Sequence, residues 1–157
     1  MGPIFVAVRH GSYDDNSNLS VTGRQQMMLL SVEMQKVVDA NPGIQIVLLC
    51  STAPRARQGG QILEDKLAIL PESSLYCECL WVDDSHGGDW ENTRRLVAQW
   101  LKDDTLLIVL SHLDVVPSIA RHVADKFGSE GRIYSRGYAE GWMVTRDGVT
   151  PVSPAKA

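Results

Sequence analysis

A chain of 157 residues, 44% apolar and 22% charged, can form one domain with a full hydrophobic core. Nineteen acidic against 15 basic side chains leave a net charge of −4, which argues against bulk binding of nucleic acid. Cys50, Cys77 and Cys79 are too few for a full set of internal disulfides, and Cys77-Glu78-Cys79 has the spacing of neither a redox pair nor a zinc knuckle.

The first apolar run, Ile4 to Val8, reads as a buried strand that delivers Arg9-His10-Gly11 at its carboxyl end, with the glycine allowing a tight turn. The expectation is that no signal peptide precedes it, and no apolar run approaches the roughly 18 residues of a membrane span. The expectation is a reduced, cytoplasmic protein with no membrane partner. A polar loop rich in turn formers reaches Ser20. Thr22 and Gln25 form a candidate capping box for a helix whose apolar face is Met27, Leu30, Met34, Val37 and Val38, and Asn41-Pro42-Gly43 stops it.

Residues 44–50 read as the second strand, leading to Ser51, Arg55 and Arg57. Pro54 suits the first turn of the next helix, which runs to about Leu67. Residues 75–82 read as a shorter strand, and His86-Gly87-Gly88 as a loop. Asp89 is a candidate cap for a helix to Leu101. Residues 105–110 form a buried strand that delivers Ser111-His112. A helix with Pro117 in its first turn runs to Phe127 and ends at Gly128. Tyr138 to Val144, Arg146-Asp147-Gly148 and Val149 read as strand, turn and edge strand. This alternation implies a single α/β domain over 1–157, a three-layer αβα sandwich with a mostly parallel sheet and an antiparallel C-terminal edge strand.

Strand ends are where open α/β sheets bind ligands. Three of them carry His10, Arg55 and His112, a set suited to an anion. Arginine forks match phosphoryl oxygens with charge-assisted hydrogen bonds, and Arg9 and Arg55 are the expected clamps. Arg57 lies two residues on and cannot share Arg55's helix face. A neutral histidine can attack phosphorus while a second, charged one donates to the phosphoryl oxygens. A hydrolase also needs an acid for the leaving group, and Glu78, Asp83 and Asp84 are the candidates. His10, His86, His112 and a carboxylate are an alternative metal-ligand set, but the arginines would repel the ion. His86 lines the pocket or faces water, and His122 is a satisfied or surface histidine. Trp81 and Trp142 can rim the pocket or fill the core, and Trp90 is assigned to the core.

With these residues in place the chain resembles the histidine phosphatase superfamily, which includes the cofactor-dependent phosphoglycerate mutases. Val8-Arg9-His10-Gly11 resembles its signature, Leu19-Ser20-Val21-Thr22-Gly23 through Gln26 its Leu-Thr/Ser-x-x-Gly-x-x-Gln segment, Ser51 through Gln58 its arginine segment, and Val109-Leu110-Ser111-His112 its second-histidine strand. Gly88-Asp89-Trp90-Glu91 only echoes the mutases' Gly-x-Trp-Glu segment, and Glu78 is placed like the mutase glutamate. The resemblance implies a phosphoglycerate mutase-like fold, His10 as nucleophile, and Arg9, Arg55, His112 and Gly11 around the phosphate. It implies metal-independent hydrolysis of phosphomonoesters or phosphohistidine, with no cofactor. The expected partner is a phosphorylated protein or a small phosphorylated metabolite, and the size resembles the small bacterial phosphohistidine phosphatases. Mutase-type phosphoryl transfer and non-catalytic binding of a phospho-ligand are the alternatives.

Overall fold

The computed structural model describes residues 1–156. Six strands form one sheet in the order β3 (Ser74–Cys77), β2 (Gln45–Ser51), β6 (Thr105–Ser111), β1 (Ile4–Arg9), β7 (Gly141–Thr145), β8 (Gly148–Val152). The first four are mutually parallel. β7 runs antiparallel to β1, and β8 antiparallel to β7. A two-stranded hairpin, β4 (Val82–Asp83) and β5 (His86–Gly87), stands apart.

Strand alternation sends side chains to two cores. Val6, Val8, Leu48, Cys50, Ile108 and Leu110 pack against Met27, Leu30 and Met34 of α1 (Val21–Ala40) and Ala56 and Leu63 of α2 (Pro54–Leu67). Phe5, Ala7, Leu49, Leu107 and Val109 pack against Val97 of α3 (Trp90–Trp100) and Ile119, Ala120 and Val123 of α4 (Val115–Phe127). A sheet covered on both faces explains why the central strands read as continuous apolar runs. The three-layer αβα arrangement is the one the sequence implies.

Four local expectations need correction. Ser20, not Thr22, caps α1: its hydroxyl accepts the Gly23 amide at 3.0 Å. The strand expected over 75–82 ends at Cys77, where the chain enters a short 3₁₀ turn, Glu78–Leu80, that buries Leu80. The strand expected from Tyr138 starts at Gly141, because Ala139 sits in the left-handed region at φ 55° and breaks the extended run. Trp90 is 41% exposed rather than in the core, since it opens α3 on the solvent side, edge-on to His122. Trp142, in contrast, is buried.

Gly11 is required for close approach rather than for a turn. A Cβ there would lie 2.5 Å from the Gly23 carbonyl oxygen, and one on Gly23 would lie 1.9 Å from that of Ser12. These two glycines let the start of α1 press directly against the loop that follows β1.

Candidate active site

The β1–β6 register pairs Arg9 with Ser111, so the residues that follow, His10 and His112, emerge side by side. The His10 amide donates to the Ser111 carbonyl at 3.1 Å, and the two imidazole centres lie 5.1 Å apart. Both histidines are buried. Ser51, at the end of β2 beside β6, lies 2.8 Å from His112 Nε2 through its hydroxyl. Three neighbouring parallel strands thus end on one spot, at the carboxyl edge of the sheet.

Arg55 enters from the first turn of α2 and links the cluster. Its Nε donates to His10 Nε2 at 3.3 Å and its Nη2 reaches His112 Nδ1 at 3.4 Å. Nη1 donates to the Ser17 hydroxyl at 2.7 Å, and Nη2 also donates to Asp83 Oδ2 at 3.0 Å. A guanidinium has only donors, so the bonded nitrogens of both histidines are acceptors. His10 Nδ1 lies 2.8 Å from the Gly11 carbonyl, which only accepts, so Nδ1 carries the proton and Nε2 holds the lone pair that accepts from Arg55. By the same logic His112 carries its proton on Nε2, toward Ser51.

Burial is the largest influence on both rings. It lowers the His10 pKa to about 4, with the Gly11 hydrogen bond opposing and the charges of Arg55 and Arg9 assisting. Burial lowers His112 to about 3, assisted by His10, Arg55 and Arg9 and opposed by Asp83. With no anion present, both are neutral at pH 7. Arg9 lays its guanidinium 4.1 Å over the Tyr138 ring, and its buried Nε has no hydrogen-bond partner. That leaves a buried donor unspent at the end of β1, on the residue before His10.

Of the three candidate acids, only Asp83 joins the cluster, through Arg55. Burial pushes its pKa up, but hydrogen bonds from Trp81, the Ser85 amide, Arg55 and His86 outweigh that and hold it well below the usual carboxylate range. Glu78 and Asp84 are exposed. Among the described residues, neither makes a hydrogen bond to Arg55, His10 or His112. Glu78 instead borders a cavity of about 470 Å³ together with Trp81, His86 and Asp89. Arg57 is exposed and lies over Tyr76, away from the cluster. Gly11 holds His10 through its carbonyl. Among the described residues no three His, Cys, Asp or Glu side chains converge to hold a metal ion.

Several participants were not singled out from the sequence. Tyr13 lies under Arg55, 4.7 Å from ring centre to guanidinium, and edge-on to His10. Ser17 holds Arg55 from a left-handed backbone position, φ 65°. Gln58 pins the same loop, accepting the Leu19 amide and donating to Asn18. Tyr138 completes the rim with Trp81, which the sequence had offered for it. Their sequence signals were polar or aromatic residues in loops just beyond strand ends and, for Gln58, its place in the arginine segment.

Similar architecture recurs among solved structures. The protein histidine phosphatase SixA, solved with tungstate, shares 23% identity at a TM-score of 0.66, over 96% of this chain and 97% of that one. The fold is phosphoglycerate mutase-like. A mycobacterial glucosyl-3-phosphoglycerate phosphatase aligns at 16% identity and TM-score 0.61, over 99% and 100% of the two chains. Phosphoglycerate mutase from Plasmodium falciparum aligns at 16% and 0.58, over 98% and 93%. No family model and no curated protein matches the sequence. No helix among the described residues is long and apolar enough to cross a membrane.

Proposed function

We propose that this chain is a histidine phosphatase that hydrolyses phosphomonoesters or phosphohistidine without a metal, through a phosphoryl group carried on His10. The observation that carries the reading is the double contact of Arg55 with His10 Nε2 and His112 Nδ1. It puts a nucleophilic lone pair, a second imidazole and a guanidinium within reach of one small anion.

Phosphate brings negative charge into a cluster whose one carboxylate among the described residues, Asp83, is already bound to Arg55. The incoming oxygens would take over Arg55's donors and the unspent Nε of Arg9. Their charge would raise the His112 pKa and turn that ring into a charged donor to the phosphoryl oxygens. His10, its Nδ1–H anchored on Gly11, attacks phosphorus through Nε2. The P–N bond forms as the bond to the leaving group breaks. Water then attacks the phosphoryl group, and the electron pair returns to Nε2.

SixA is named as a protein histidine phosphatase and was solved with tungstate, a tetrahedral oxyanion. That likeness supports a phosphorylated protein as substrate, and the glucosyl-3-phosphoglycerate phosphatase supports a small metabolite. The three unpaired cysteines suit the reducing cytoplasm. The deciding assay is turnover of p-nitrophenyl phosphate and a phosphohistidine protein, with and without chelator. Activity that survives chelator, with an acid-labile label on His10, is expected. Chelator-sensitive turnover or a label elsewhere refutes the reading.

A further inference from the structure

Protonation of the leaving group has no obvious agent among the carboxylates the sequence offered. Asp83 accepts four N–H groups: Trp81 Nε1 at 2.7 Å and Arg55 Nη2 at 3.0 Å on Oδ2, and the Ser85 amide at 2.8 Å and His86 Nδ1 at 3.0 Å on Oδ1. With all its lone pairs engaged by donors, it is the conjugate base and has no proton to give. Glu78 and Asp84 face solvent, outside the network.

The same four bonds organise a different group. In the β4–β5 hairpin Asp83 pairs with His86, which brings the imidazole to the carboxylate. His86 stacks flat on Trp81, ring centres 3.6 Å apart and planes 11° apart. Trp81 is itself anchored by its indole N–H on Asp83. Ring plane and tautomer are therefore both fixed: Nδ1 faces Asp83, and Nε2 is the nitrogen free to exchange a proton. The side chain is 37% exposed, so a substrate can reach it. Asp83 joins this ring to the guanidinium that touches both site histidines.

We propose that His86, held by Asp83 and stacked on Trp81, is the catalytic acid and base for the leaving group in the phosphatase reaction proposed above, on which this assignment rests. As His10 Nε2 bonds to phosphorus, the P–O bond breaks and its electron pair takes the proton from His86 Nε2. His86, now neutral, removes a proton from the water that attacks the phosphoryl group on His10. The P–N bond breaks toward His10, orthophosphate leaves, and His86 ends protonated as it began. Asp83 is a positioning residue for this step.

Leaving-group dependence reads this directly. Rates of His10 phosphorylation are measured in single turnovers with glycerol phosphate, whose alkoxide needs a proton, and with p-nitrophenyl phosphate, whose phenolate needs little help. In His86→Gln the ratio of the first rate to the second should fall by about 100-fold. The ratio does not depend on how much of a preparation is folded. An unchanged ratio, whether or not both rates fall, overturns the assignment. So does a 100-fold fall in Glu78→Gln with His86→Gln near wild type. A wild-type chain that labels His10 with neither ester fails the phosphatase reading and this proposal with it. That result is distinct, because failure of the His86 assignment alone appears only in the ratio.

Discussion

The strand-end cluster and the 78–89 segment are held by opposite means, and the proposed reaction uses both. His10, Arg55 and His112 are buried and are fixed by backbone register, hydrogen bonds and both cores. Asp83 and His86 sit on a two-stranded hairpin, with Trp81 just before it, held by side-chain bonds to one carboxylate. Chemistry on a phosphoryl group is the same for every substrate and suits a rigid platform. The leaving group differs from substrate to substrate, and an exposed hairpin is free to meet it.

The largest test of this contrast is His10→Ala, which should cost at least about 10⁴-fold in kcat and abolish acid-labile labelling. Arg55→Lys keeps the charge but loses the fork that spans His10, His112, Ser17 and Asp83, and should cost about 10²- to 10³-fold in kcat. An Arg55→Lys enzyme within threefold of wild type would break the comparison, because Arg55 is the joint between the two regions.

Acid should destabilise the platform through its histidines. Burial holds His10 at about 4 against an ordinary 6.5, so the unfolded chain binds more protons between those values. Stability contributed by the neutral ring is complete above pH 6.5 and is lost as pH falls toward 4, on the order of 3 kcal/mol for this residue. Urea midpoints across that range should drop in the wild type and drop less in His10→Gln. Gly23→Ala puts a methyl into the Ser12 carbonyl and should cost about 2–3 kcal/mol, read as a lower urea midpoint. Gln58→Ala, the smallest change, frees the Leu19 amide and should cost about 1 kcal/mol and raise KM through a looser Ser17.

Much of the platform was legible in the chain. Ile4 to Val8 and Leu106 to Leu110 are apolar without interruption, as central parallel strands must be, and each runs directly into its histidine. Proline at the start of α2 and glycine at the end of α4 marked their helix ends. The hairpin was not legible. A run from Leu75 to Val82 has the composition of a strand, yet it breaks at Glu78 because the Leu80 carbonyl is drawn to the Ser111 hydroxyl, a contact between residues 31 apart. Trp90 looked like core for the same reason: composition carries no record of which side of a helix start faces water.

The sequence alone determined the residue types of the proposed phosphoryl site and the strands that carry them, because local apolar pattern dictates where a buried strand begins and ends. Tertiary structure alone decided which nitrogen of His10 is unprotonated, which carboxylate meets Arg55, and that His86 lies in its grasp. Those are distances across gaps in the chain, set by β-register and by competition among donors for one carboxylate, and no local pattern encodes them.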